Sequence, residues 1–438
     1  MKKILLIGNG AREHIIASTL KKNPSVSVVT YAKAMNPGIR SLSDAYEIGD
    51  LLDLEHVCKF ALQEKVDFAF CGPEDPIAAG MADALEIVGI PSCFPKKLPA
   101  QLESSKAFTR NLVGKYGIPG NPVFQVFTEA NQDQMEAFAE NFSGNFVVKA
   151  DTLRAGKGVQ VSGDHFFTSE EGIRYARECV AVDGRVVLEE KFVGQEFSVM
   201  SFCDGKRAVH MPIVQDHKRA YEGDKGPNTG GMGTYSDANL SLPFLQESDV
   251  AEAQRINEQV LEAVNKETGV PFRGILYGGF IAVKDGARLI EYNVRFGDPE
   301  VINILSLLET DLSSVCEAMI AGTLDQISIS FRRAATVCKY IVPEGYPDKA
   351  VKGVEIFLES IPEGASLYYG SVDEKDGKIL LGGSRAIAVI GTGKDLETAE
   401  QIAEKAAQAV SGPVFHRADV GTQALIQKRV EMMKEIRG

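Results

Sequence analysis

Glu291-Tyr292-Asn293-Val294-Arg295-Phe296-Gly297-Asp298-Pro299-Glu300 follows an apolar strand signal and precedes an apolar helix signal. On a strand, alternate residues share a face. Glu291, Asn293 and Arg295 therefore point one way, and Tyr292, Val294 and Phe296 point the other, into apolar packing. A carboxylate and an amide oxygen two residues apart are hard ligands of the kind that hold a divalent cation bridging phosphates. Arg295 beside them suits a carboxylate or an acyl phosphate. The salt-bridged outer face of a hairpin fits the same spacing. The hairpin itself is well marked: Ile275–Val283 and Ala287–Phe296 flank the turn Lys284-Asp285-Gly286.

Working outward, helices are expected at Val301–Leu308 and Leu312–Ile320, and Val250–Lys266 precedes the hairpin. Before that lies Gln215–Ser236, a long polar stretch rich in Gly, Asp, Lys and Asn. It contains Asp-His-Lys-Arg at 216–219 and Gly-Pro-Asn-Thr-Gly-Gly-Met-Gly at 226–233, and reads as an irregular, mobile substrate loop rather than a linker. Further upstream Val186–Phe192 and Phe197–Phe202 read as strands, Lys106–Tyr116 as a helix, and Phe146–Ala150 as a strand entering the loop Asp151–Gly158. Lys149 closes that apolar strand, where a charge is costly unless it has a partner. The glycines and lysines of the loop suit phosphate. It is not a Walker A loop, because Gly158 stands where Ser or Thr would follow Lys157. Alone it fits a charged surface turn equally well, as Val187–Glu196 alone fits an amphipathic edge strand.

Residues 1–102 alternate short apolar runs (Ile4–Ile7, Val26–Tyr31, Phe68–Cys71) with helical periodicity (Ala11–Lys22, Leu54–Lys65, Ile77–Val88). That pattern implies a parallel sheet covered on both faces. Gly8-Asn9-Gly10-Ala11-Arg12-Glu13-His14 sits between the first strand and first helix, a position that suits phosphate or sugar binding and a purely structural turn equally. A dinucleotide fingerprint would need glycine at 13, and Glu13 stands there. A last unit begins near Phe331, with a strand at Val337–Val342 and a helix at Leu396–Val410.

The chain has 438 residues, and single cores stop growing at roughly 250–300, so two or three domains are expected. A net charge of −13 argues against nucleic acid. No run approaches the ~18 apolar residues of a membrane span. Seven scattered cysteines without a C-x-x-C pair suit reduced thiols in a cytoplasmic protein.

Together and in this order, these motifs resemble the ATP-grasp superfamily, and within it the glycinamide ribonucleotide synthetases (phosphoribosylamine–glycine ligases) of purine biosynthesis. Cys71–Pro76 (CGPEDP), Leu102–Arg110 (LESSKAFTR), Gly382–Ala386 (GGSRA) and His416–Gly421 (HRADVG) extend the resemblance over essentially the whole chain. It implies an N-terminal parallel α/β domain (1–102), a central ATP-grasp domain (103–329, lid about 120–195) and a C-terminal α+β domain (330–438). It implies ATP, Mg2+ or Mn2+, glycine and 5-phosphoribosylamine, with no nucleic acid or membrane partner, and a monomer is favoured. Glycine's carboxylate is phosphorylated by ATP, and the amine attacks the glycyl phosphate. By motif, Lys106 and Lys149 contact ATP phosphates, and the loop carrying Gly156, Lys157 and Gly158 closes over them. Glu189 and the backbone of Lys191 meet adenine, and Glu196 the ribose hydroxyls. Glu291 and Asn293 hold the metal. Asp216, Arg295, Asn228, Thr229 and Gly230 surround glycine and its phosphate. Gly10, Arg12, Glu13 and Glu74 surround phosphoribosylamine.

Some residues depart from the family pattern. Thr152 stands where glycine is common, Arg154 where a small residue is common, and Ala11 where glycine is common in the first loop. The usual glycine-rich segment after the second strand is here Ala32–Gly38, with Met35. Two other readings remain: a different ATP-grasp ligase, against which the 216–219 and 226–233 motifs argue, and a catalytically silent nucleotide-binding protein, which Thr152 and Arg154 leave open.

Overall fold

The computed structural model describes residues 1–154 and 158–438. Four parallel strands near the N-terminus stand in the spatial order Ala45–Ile48, Val26–Ala32, Lys2–Ile7, Phe68–Cys71. Val26–Ala32 is buried at every position, as a strand covered on both faces must be. Strand order reverses between Lys2–Ile7 and Phe68–Cys71. In an open α/β sheet the crevice beyond the carboxyl ends at such a reversal is the ligand site. The segments entering it are Gly8–Gly10 and Gly72–Glu74. Two elements differ from the sequence expectation. The edge strand Ala45–Ile48 is partly exposed and carries no apolar run to announce it. The helix expected over 77–88 is two helices, Glu74–Ala79 and Met81–Ile87, because Gly80 between them adopts φ +102°.

Two antiparallel sheets follow. One orders Ala208–His210, Gln195–Asp204, Arg273–Val283 and Gly286–Asn293, with the long helix Glu247–Thr268 packed across it. The other orders Phe124–Thr128, Arg185–Glu190, Phe146–Ala150 and Val159–Val161, covered by the helices Met135–Glu140 and Ser169–Asp183. This second sheet has a core of its own, built from Phe127, Phe138, Phe146, Phe166, Val186 and Leu188 among others. A unit with a separate core can shift as a body relative to its neighbours.

The expected irregular loop at 215–236 is instead two nested hairpins. Gln215–Asp216 pairs with Gly233–Ser236, and Arg219–Tyr221 pairs with Lys225–Asn228. Gly233–Ser236 then pairs with Ala335–Pro343, which continues through Ile387–Gly393 to Ala365–Tyr369. Its backbone groups are thus satisfied by a strand far along the chain, which no local pattern reveals. The helix Leu396–Gln408 packs on this sheet, and a second sheet joins Val372–Lys375, Lys378–Leu381, Glu355–Leu358 and Val410–Ser411. The last helix, Gln423–Arg437, returns to the middle of the molecule, where Arg437 donates to Asp249 at 2.6 Å and to the Phe244 carbonyl at 3.4 Å. All seven cysteines are buried and unpaired, and among the described residues no helix is long and apolar enough to cross a membrane.

Candidate active site

The strand Gly286–Asn293 contains a β-bulge. Its pairing with Arg273–Val283 slips between Gly279 and Phe280, leaving Ile290 unmatched. The extra residue switches which positions face inward. Ala287 and Leu289 are buried before it, and Tyr292, Val294 and Phe296 after it, so Glu291, Asn293 and Arg295 share the opposite side as the spacing predicts. The bulge also frees the Ile290 carbonyl, which accepts from Lys149 Nζ at 2.7 Å and from Arg110 Nη2 at 2.6 Å. Lys149 comes from the strand Phe146–Ala150 and Arg110 from the helix Lys106–Lys115, so this carbonyl gathers three elements.

Lys149 also pairs with Glu189, whose two oxygens are taken by Arg110 as well, at 2.7 and 3.0 Å. Burial pushes the Lys149 ammonium below its ordinary value, and Glu189 only partly restores it. Burial would raise Glu189, but Arg110 and Lys149 outweigh it and hold the carboxyl low. Lys106 stands at the first position of its helix, near enough to Glu291 to help stabilise its charge. The Lys191 ammonium donates to the Ser162 carbonyl at 2.6 Å, and its backbone N–H donates weakly to Asn145 at 3.4 Å.

A small cleft opens between Glu291, Asp216, Lys218, Glu196 and Tyr277. Burial would raise the Glu291 carboxyl, but Lys218, Lys106, Lys149 and Arg295 together hold it below the ordinary range. Asp216 behaves oppositely. Burial, reinforced by Glu300, pushes its carboxyl well up, and its Oδ1 is buried without a hydrogen-bond partner among the described residues. Lys218 is raised, first by Glu196, with which it pairs at 2.9 Å, and further by Glu291 and Asp216.

At the N-terminal crevice, Glu13 turns back to cap the Gly10 N–H and pairs with Arg12 Nε at 2.6 Å. A side chain at Gly8, Gly10 or Gly72 would run into Glu13, so its carboxylate fills the space between the two crevice segments. Arg12 and Arg295 both donate to the Phe296 carbonyl, at 3.3 and 3.2 Å, which sets two guanidiniums side by side. Glu74 and Glu103 each approach Arg295 at 3.3 Å. Arg295 holds the Glu74 carboxyl down to about 2. Burial raises Glu103, which accepts from the Val294 N–H at 2.8 Å. Gly10, Arg12, Glu13 and Glu74 are thus brought to the same place as Arg295.

The turn Asn228–Gly231 is held from the C-terminal side. Arg385 donates to the carbonyls of Gly230, Gly231 and Asp298, pairs with the Asp298 carboxylate at 3.0 Å, and lies 4.5 Å over the Tyr340 ring. Thr229 bonds the Lys218 carbonyl through its N–H (2.7 Å) and hydroxyl (2.9 Å), and Asn228 reaches His165 at 3.4 Å. Gly158 lies at the start of Val159–Val161, packed against Ala150 and Arg154. Gly156 and Lys157 lie outside the described residues. Arg154 turns to Asp183 on the helix Ser169–Asp183 and donates to Thr152 at 3.3 Å. Sequence reasoning did not single out Arg110, Glu103, Lys218 or Arg385. All four stand inside quoted motifs, but their roles depend on partners distant in sequence.

Two antiparallel sheets, the one with its own core bringing a lysine to a cation-ringed carboxylate on the other, define an ATP-grasp protein. Within that class the chain belongs to the phosphoribosylglycinamide synthetase family: the family's N domain matches residues 2–103, its ATP-grasp (A) domain 104–301 and its C domain 336–423. The phosphoribosylamine–glycine ligase of Methanosarcina barkeri is 47% identical over 439 residues, covering 100% of both chains. That of Methanocaldococcus jannaschii is 45% identical over 444 residues, covering 99% of this chain and 100% of the relative. The crystal structure of the phosphoribosylamine–glycine ligase of Thermotoga maritima aligns with a TM-score of 0.79 at 28% identity, over 95% of this chain and 99% of that one. A biotin carboxylase from Campylobacter jejuni shares the fold, with a TM-score of 0.72 at 13% identity over 99% and 95% of the two chains.

Proposed function

We propose that this protein joins glycine to 5-phosphoribosylamine at the expense of ATP. The ATP γ-phosphoryl group passes to glycine's carboxylate and ADP leaves. The amine of phosphoribosylamine then attacks the acyl carbon, phosphate leaves, and glycinamide ribonucleotide forms. The observation that carries this reading is the cleft at Glu291. One carboxylate there is kept ionised by four cations, while Asp216 beside it is buried with an oxygen that lacks a donor among the described residues. Phosphoryl transfer needs positioning and charge neutralisation more than an acid–base pair, and such a cluster supplies both.

Lys149 and Lys106 neutralise the ATP phosphates. Adenine lies against the Glu189–Lys191 segment, and the ribose hydroxyls meet Glu196. Asp216 offers its unpartnered oxygen to glycine's ammonium group, whose arrival lowers the carboxyl again. Arg295 and the Asn228–Gly230 turn hold the carboxylate and its phosphate. Gly10, Arg12, Glu13 and Glu74 orient phosphoribosylamine in the crevice. Glu291 and Asn293 fit a Mg2+ or Mn2+ ion. Both offer hard oxygens, Glu291 is held in its charged form, and two protein ligands leave room for phosphate oxygens. Bound there, the ion would neutralise charge on the phosphates. The division near residues 103 and 330 is supported by the matched spans, and the buried reduced thiols suit the cytoplasm.

The test is ADP release with ATP, Mg2+, glycine and freshly made phosphoribosylamine, each omitted in turn. Release should need all four. ADP formation that ignores glycine would sink the proposal.

A further inference from the structure

Lys149 could not serve a nucleotide if it were the only neutraliser of a buried carboxylate. Its ammonium is engaged by Glu189 and by the Ile290 carbonyl at 2.7 Å, and the Lys149 and Glu189 side chains are 4% and 5% exposed. Moving Lys149 onto a triphosphate would leave Glu189 charged and alone, a strongly unfavourable state. Arg110 removes this obstacle. Its Nε and Nη2 grip both Glu189 oxygens at 2.7 and 3.0 Å. The same guanidinium donates to both carbonyls at the bulge, Leu289 at 3.1 Å and Ile290 at 2.6 Å. Every acceptor that Lys149 would leave is already served by Arg110. The planar fork makes this possible, and a lysine at 110 could not reach the four acceptors together.

We infer that Arg110 is a positioning residue for ATP binding: by holding Glu189 and the Ile290 bulge, it frees Lys149 to pass from its resting ion pair to the nucleotide phosphates. The inference rests on the reading of Lys149 as a phosphate ligand. Without Arg110, Glu189 captures Lys149 instead of sharing it. That capture lowers affinity for ATP and not for glycine. It also raises the ammonium's pKa, since Arg110 is one of the charges that depress it.

The test compares Arg110→Met, Arg110→Lys, Lys149→Met and the double variant Arg110→Met/Glu189→Gln, measuring KM for ATP and glycine and the pH dependence of kcat/KM for ATP. Arg110→Met should raise the ATP KM at least about tenfold with little change in the glycine KM, and should move the basic limb to higher pH. Arg110→Lys should fall between it and the parent. The double variant, which has no carboxylate to capture Lys149, should have a lower ATP KM than Arg110→Met, although not the parent's, because Glu189 also meets adenine. A residue that merely supports the fold would affect both substrates alike, leave the basic limb in place and give no recovery in the double variant; that result would overturn the inference. If Arg110→Met does not fold, Arg110→Lys and the double variant still decide. An unchanged ATP KM in Lys149→Met would instead overturn the phosphate reading. A raised ATP KM in Lys149→Met with none in the Arg110 variants would overturn this inference alone.

Discussion

Arg385→Ala should separate glycine binding from ATP binding. The guanidinium carries four hydrogen bonds, three to the carbonyls of Gly230, Gly231 and Asp298 and one to the Asp298 carboxylate, and it stacks on Tyr340. Breaking one side of such a buried pair costs about 3–5 kcal/mol. Asp298 keeps the Tyr340 hydroxyl at 2.6 Å, and water entering the gap restores some of the lost bonds. A net loss of about 2–3 kcal/mol is therefore expected. It falls on the Asn228–Gly231 turn, where Arg385 is the link to the C-terminal sheet. If that turn holds glycine and its phosphate, the loss reads as about a 30–150-fold rise in the glycine KM. The ATP KM should move only a few-fold, because the Lys149 cluster shares no partner with Arg385. Steady-state ADP release at varied glycine and varied ATP measures both, and thermal unfolding checks the fold. Equal rises in the two KM values, or no change in either with unchanged melting, would refute the reasoning.

Acid should weaken the protein before its carboxylates titrate. Burial lowers the His14 imidazole to about 4, from an ordinary 6.5. The unfolded chain therefore binds the proton first, so this stability is complete above about pH 6.5 and is lost as pH falls toward 4, up to roughly 3 kcal/mol. His217, lowered to about 3, acts with the same sign, whereas Glu74, held at about 2, contributes only to losses below about pH 4.5. Melting temperatures from pH 7 to 5 should fall, and His14→Asn, which keeps an acceptor for the Tyr369 N–H, should flatten the slope; a flat parent profile would contradict this. Arg154→Gly should change the ATP KM by less than about threefold, since the side chain is occupied with Asp183 in a partly exposed pair. A tenfold or larger change would show that Arg154 bears on the phosphate loop.

Much of this architecture is legible in the sequence because it is written locally. Period-two alternation marks Val294 and Phe296 as packed, and alternating apolar runs mark the N-terminal sheet. What is not legible depends on distance. The bulge at Ile290 leaves the composition of its strand unchanged, yet it creates the acceptor for Lys149 and Arg110. Gly233–Ser236 looks like loop because its partner strand begins at Ala335. Nothing local to Arg110 or Arg385 names their partners, because Glu189, Gly230 and Asp298 lie far away along the chain. The short strand Ala45–Ile48 is partly exposed, and the break at Gly80 turns on a single positive φ. The departures at Thr152 and Arg154 raised doubt about the phosphate loop, and the structure gives Arg154 a partner in Asp183 that explains how its bulk and charge are accommodated.

The most direct test of the account is the rate of ADP release by Glu291→Ala at saturating ATP, Mg2+, glycine and phosphoribosylamine. Removing one charged group from a pre-organised phosphoryl-transfer site costs about 10²–10³ in rate or more, so turnover should fall by at least that factor in a protein that melts as the parent does. A folded Glu291→Ala protein that turns over at the parental rate would contradict it, and a variant that fails to fold would assign Glu291 to the scaffold instead.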